Sequence, residues 1–175
     1  LHFTGSTAPA TVRELAASHG MRLPYSLTDD VGNTYDVEDE RGWFRFQRTY
    51  DAARNCVRGE ADMRRIVREA ALADGAEGSR WLELQVDPTT YAPFVGGITP
   101  ALEIVLDEAG AVSELPGAAQ VGIMVAASRM RHPLEARTLA RLAARYAGEG
   151  PGTVVAFGLS NDERRGVTSD FAPAF

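Results

Sequence analysis

The chain has 175 residues, 45% of them hydrophobic and 24% charged, which suits one packed globular domain and excludes a disordered polyampholyte. A net charge of -6 and a pI near 5.1 speak against a general nucleic-acid surface or an anionic-membrane surface, because counterion release needs a concentrated positive field. Small molecules or protein are the expected partners. The single cysteine, Cys56, has no internal disulfide partner and is expected as a buried thiol in a reducing cytoplasm. No apolar run approaches the roughly 20 residues of a spanning helix, so a soluble protein is expected.

In chain order, Leu1-His2-Phe3 reads as the end of a strand already under way, turning at Thr4-Gly5-Ser6. The stretch after it brings Val12, Leu15, Ala16 and His19 onto one helical face, with Thr7 as the expected cap and Gly20 as the stop. Residues 22–42 are acidic, turn-rich and without period, and read as a mobile loop. A helical stretch follows in which Trp43, Phe44, Phe46 and Tyr50 cluster too densely for an ordinary exposed turn; they could form the wall of an apolar pocket. The next helix unites Met63, Ile66, Val67 and Ala70, with Gly75 near its end.

The remaining elements alternate. Trp81–Val86, Val121–Ala127 and Val154–Leu159 read as strands, the last two as apolar runs of the kind buried on both faces. Between them lie a helix with Thr99 as cap and Pro100 in its first turn, and a helix from Pro133 to Gly148 carrying Leu134, Leu139, Leu142, Ala143 and Tyr146. With the truncated strand at His2, the pattern is about four parallel strands joined by right-handed crossovers. A complete (β/α)8 TIM barrel takes about 250 residues, so the expected fold is α/β: the N-terminal half of such a barrel, as one partial domain over residues 1–175.

Barrels of this type work at the C-terminal ends of their strands, here His2–Ser6, Gln85–Tyr91, Ser128–His132 and Gly158–Arg165. His2 sits where a metal ligand would sit, and a residue just before Leu1 would share its face and complete a His-x-His chelate. Taken alone, a terminal histidine is an ordinary surface group. His19 reads as a helix-end cap or dipole partner, and His132 as a turn residue before Pro133. In "GLSNDERRG", Asp162 and Arg165 could pair as a solvated loop, yet Ser160 and Asn161 stand where a ligand would rest. Glu83 falls within a strand, so a partner is expected for it, either Arg129 from the neighbouring strand or an arginine at a helix end.

Three segments together resemble the adenosine deaminase family of the metal-dependent amidohydrolase superfamily: "LHFTGSTAPATVRELA", "WLELQVDPTTY" and "VVAFGLSNDE". They keep the family's order and spacing over essentially the whole chain. The resemblance implies that His2 is the second histidine of a zinc-binding pair. It implies that Trp43, Phe44 and Phe46 belong to a helical lid insertion with a hydrophobic subsite. Thr4 falls where such enzymes carry an aspartate that contacts ribose, and Asn161 where a glycine approaches the purine. The family's third metal histidine, its proton-shuttling glutamate, its later histidine and its Asp-Asp pair have no counterpart in these residues, so the chain is expected to be inactive alone.

The implied activity is hydrolytic deamination of an adenine nucleoside at purine C6 by a zinc-activated water. Expected substrate contacts are His2, Thr4, Trp43, Phe44, Arg129, Asn161 and Arg164, with Zn2+ as cofactor, a purine nucleoside as partner, and neither nucleic acid nor membrane. The changes at Thr4 and Asn161, with Arg129, Arg131, Arg164 and Arg165 at strand ends, suggest a larger, anionic substrate such as the benzoate-bearing nucleoside aminodeoxyfutalosine. The alternative is a non-catalytic half-barrel acting as an interaction module through its open sheet edges.

Overall fold

A computed structural model describes residues 1–28 and 40–175. The most acidic part of the expected 22–42 loop, residues 29–39, lies outside the described residues. Three parallel strands, β1 (Trp81–Val86), β2 (Gln120–Ser128) and β3 (Val154–Ser160), lie side by side in that order. About four strands were expected, and the fourth is present only as a ladder fragment. Gln85 N–H donates to the Leu1 carbonyl at 2.7 Å and Phe3 N–H to the Gln85 carbonyl at 2.8 Å, which leaves His2 bridged in parallel to Gln85 on the outer side of β1.

The strands form where the apolar runs predict them. Along β1, Leu82, Leu84 and Val86 are buried, whereas Trp81 and Glu83 are exposed on the opposite face, which would be the inside of a closed barrel. This overturns the expectation of a buried Glu83 paired with an arginine. Its carboxylate is exposed and accepts from the Trp81 indole N–H at 3.4 Å. The strand β2, covered by helices, is buried from Val121 to Ser128 apart from a half-buried Met124.

Seven helices surround this sheet among the described residues: α1 (Pro9–Ser18), α2 (Tyr25–Thr28), α3 (Glu40–Asn55), α4 (Glu60–Ala76), α5 (Pro88–Val95), α6 (Ile98–Ser113) and α7 (Pro133–Arg145). The helix α1 buries Val12, Leu15 and Ala16 and stops before Gly20, whose φ of 62° is the left-handed conformation that ends helices. Thr7 does not cap it. Ala8 holds the cap position, with Pro9 supplying a preset first turn, and the Thr7 hydroxyl is buried without a partner. Thr99 likewise lies inside α6, where Gly97 is the N-cap.

The core lies between the sheet and its outer helices. Leu84, Ile123 and Val125 from the strands, Met63, Ile66 and Val67 from α4, and Leu102, Val105 and Ala109 from α6 belong to one buried cluster. Gly75 lets α4 approach the turn before β2. A Cβ there would run into the Gly117 carbonyl oxygen and stand 2.8 Å from the Ala119 nitrogen, whose N–H already donates to the Ala71 carbonyl at 2.9 Å. Leu139, Leu142 and Ala143 of α7 are buried as the period predicts. Leu134, expected on that face, is exposed in the first turn. The cysteine Cys56 is fully buried. No helix among the described residues is long and apolar enough to cross a membrane.

Candidate active site

The C-terminal ends of the strands and the inward face of α3 enclose a cavity of about 760 Å³, within the range of small-molecule sites. Each strand end contributes: His2 from the ladder fragment, Gln85 and Asp87 from β1, Ser128, Met130 and Arg131 from β2, Ser160 and Asn161 from β3. The opposite wall is helical. Trp43, Phe46, Gln47, Tyr50 and Arg54 recur every three or four residues along α3, so one stripe of that helix faces the strand ends. Trp43 and Phe46 have ring centroids 5.6 Å apart, Phe46 stacks on Tyr50 at 6.3 Å, and Tyr50 meets the His2 ring edge-on at 6.4 Å.

His2 is held by backbone pairing on both sides, so its ring direction is fixed by strand register. Gly5 keeps the turn beneath it small: a Cβ at that position would lie 3.2 Å from the His2 Cβ and 3.6 Å from the Tyr50 ring. Burial lowers the His2 pKa below its ordinary value, which favours the neutral imidazole with a free lone pair. The next turn is fastened from below. Thr4 is buried, and its hydroxyl lies 3.1 Å from the hydroxyl of Tyr91 on α5. Burial raises the pKa of both Tyr91 and Tyr50, opposed in each by the Thr4 hydroxyl, so the phenols stay protonated.

The β1 end leads directly into α5, a helix that the strand-end reading left unassigned. Its signal was present in Asp87-Pro88: Asp87 is the N-cap, accepting from the Thr89 N–H at 3.0 Å and the Thr89 hydroxyl at 2.6 Å, and Pro88 occupies the first turn. At the β3 end, Asn161 takes a left-handed φ of 84°. Its amide donates to the Ser128 hydroxyl at 3.3 Å and its carbonyl accepts from the Asp162 N–H at 2.8 Å, which ties two neighbouring strand ends together at the cavity wall.

Of the expected contact residues, His2, Trp43 and Asn161 line the cavity. The others lie elsewhere. Thr4 sits beneath the lining, bonded to Tyr91, and Phe44 is exposed on α3 away from the inward stripe. Arg129 donates to the Thr168 hydroxyl at 3.2 Å, and Arg164 forks onto Asp162 at 2.9 and 3.1 Å, taking the place expected for Arg165. His19 stands at the α1 C-cap with Nε2 2.8 Å from Asp62, and His132 caps α7, its Nδ1 accepting from the Leu134 N–H. Tyr91, Gln85, Asp87 and Arg54 line the cavity without having been singled out as contacts.

The adenosine deaminase family model matches residues 1–175. The chain belongs to that family. It is 58% identical to a candidate adenosine/adenine deaminase of Streptomyces virginiae, over all of this chain and 50% of that protein. It is 28% identical to the aminodeoxyfutalosine deaminase of Acidothermus cellulolyticus, over all of this chain and 47% of that protein. The chain thus spans about half the length of the curated relatives it matches. Among solved structures, an amidohydrolase of Burkholderia ambifaria with bound zinc superposes with a TM-score of 0.77 at 18% identity, covering 99% of this chain and 46% of that one. That likeness establishes the half-barrel fold, with its strand ends at the cavity.

Proposed function

We propose that the protein carries out hydrolytic deamination of an adenine-type substrate at purine C6, with an adenine nucleoside, either adenosine or aminodeoxyfutalosine, as the substrate. One observation carries the reading: His2, at the position of the family's second metal-binding histidine, the ends of all three strands and an aromatic helix face converge on one cavity of about 760 Å³. A flat purine suits that wall, because Trp43, Phe46 and Tyr50 offer ring faces and edges to a π-system while keeping water out. Ser128, Ser160 and Asn161 supply the hydroxyls and the amide that would read ring nitrogens and hold the exocyclic amino group in place.

The metal expectation is supported in part. The neutral His2 imidazole in the cavity is chemically suited to hold zinc. No group of three or more His, Cys, Asp or Glu converges among the described residues, so His2 would be one ligand and the others would come from outside them. When bound, zinc supplies a Lewis acid that brings water to a reactive state near neutral pH. The described residues place the purine, fix the His2 ring through Gly5 and Tyr50, and exclude bulk water.

The test is turnover of adenine, adenosine and aminodeoxyfutalosine by the complete protein, with metal content measured alongside. Ammonia release from at least one of them is expected, and His2→Ala is expected to lower it by at least 100-fold, the scale of losing a metal ligand, together with the bound zinc. A metal-loaded, folded protein that releases ammonia from none of the three overturns the reading and favours the interaction-module alternative.

A further inference from the structure

The inward stripe of α3 changes character along its length. Trp43, Phe46 and Tyr50 are aromatic, and the stripe ends on a cation, Arg54, about 6 Å past Tyr50 at a rise of 1.5 Å per residue. Arg54 Nη2 rests on the Asp51 carboxylate at 2.8 Å, one turn back on the same helix. Its Nε is buried and has no hydrogen-bond partner. An unpaired buried donor is costly, more so on a charged group, so this N–H is poised for an acceptor that the described residues do not provide.

The surroundings narrow the kind of acceptor. Asp87, the carboxylate on the cavity lining, is already engaged by the N–H and hydroxyl of Thr89. The Thr4 and Tyr91 hydroxyls engage each other. Arg131, the second arginine on the lining, leans on Glu135 at 3.3 Å at the opposite, strand-end wall. Arg129 also has a buried Nε without a partner, but it does not line the cavity. Arg54 therefore combines a place on the lining with an open donor beside an aromatic wall.

We propose that Arg54 receives an anionic oxo group, phosphate or carboxylate, carried by the adenine-type substrate. A planar guanidinium suits such a group because it offers parallel N–H donors, which lysine lacks. Asp51 holds the guanidinium in place while the Nε–H takes the ligand. Selectivity among 6-aminopurines is then set at Arg54. The proposal rests on the deaminase reading above.

The experiment measures kcat/KM of the complete protein for adenosine, adenosine monophosphate and the benzoate-bearing nucleoside, and binding of inosine and inosine monophosphate by calorimetry. At least one anionic substrate is expected to exceed adenosine tenfold or more; which one does so separates phosphate from carboxylate. Arg54→Gln is expected to reduce that ratio at least tenfold, chiefly through KM, and Arg54→Lys to retain part of it. A wild-type ratio of one or below overturns the proposal, as does a ratio unchanged within twofold in Arg54→Gln. If Arg54→Gln does not fold, Arg54→Lys is read in its place, and a ratio that it leaves unchanged within twofold overturns the proposal. If no substrate is deaminated, tighter binding of inosine monophosphate than of inosine upholds the anion site and overturns the deaminase reading, whereas equal binding overturns both.

Discussion

The hydroxyl pair beneath His2 offers a quantitative test of how the site is held. Thr4 and Tyr91 are 4% and 3% exposed and their hydroxyl oxygens are 3.1 Å apart, so each satisfies the other away from water. Tyr91→Phe leaves the Thr4 hydroxyl without that partner, at an expected cost of about 1–3 kcal/mol. Thr4→Val is expected to cost an amount in the same range, because it leaves the buried Tyr91 hydroxyl without its partner. Removing both members leaves fewer stranded groups, so the double variant should fall short of the sum by about 1 kcal/mol. Urea unfolding of the complete protein measures all four corners of the cycle. Additivity within about 0.3 kcal/mol, or a Tyr91→Phe change without measurable cost, would show that these hydroxyls are not coupled and that the Thr4 turn is held by other means.

Two further outcomes rest on the same packing. Gly75→Ala should destabilise by about 1–3 kcal/mol, even though alanine is the better helix former, because its Cβ meets main-chain atoms of Gly117 and Ala119 that have no free rotamer to yield; thermal unfolding checks it, and a rise in stability would contradict the close approach. Burial raises the phenols of Tyr50 and Tyr91 above their ordinary value of 10.0, so the folded protein keeps protons that the unfolded chain sheds. The resulting stability is complete below pH 10.0 and is lost as the pH climbs from there towards the folded-state values; phenolate absorbance should lag in the folded protein, and Tyr91→Phe should flatten the alkaline fall in stability.

The strands were legible because long apolar runs leave little choice of element, even in β3, where burial on both faces is expected but only Val154 is buried and the rest are half-buried. Val121–Ala127 and Val154–Leu159 each appear in the structure within a residue at either end. Faces were harder to read. A partner is expected for Glu83 because it falls within a strand, but the inner side of β1 is open among the described residues and the carboxylate stays exposed. Caps were misread for a related reason: Thr7 and Thr99 have the right chemistry, but Pro9 and Gly97 set the backbone geometry that decides where each helix starts.

The cavity lining shows how far a one-dimensional reading reaches. Trp43, Phe44, Phe46 and Tyr50 group together in the sequence as close aromatic neighbours, whereas the wall is selected by helical spacing. Phe44 drops out, since one residue along a helix turns the side chain by about 100°, Tyr50 stays, and Gln47 and Arg54 join it. Arginines were likewise sought at strand ends, where Arg129 and Arg164 lie, but both point to partners of their own. The cation on the aromatic wall is Arg54, eleven residues beyond Trp43 on the same stripe, visible in the sequence only once the face of α3 that meets His2 is known. The spacing is present in the sequence; the contact between Tyr50 and His2 supplies the phase that turns it into a site.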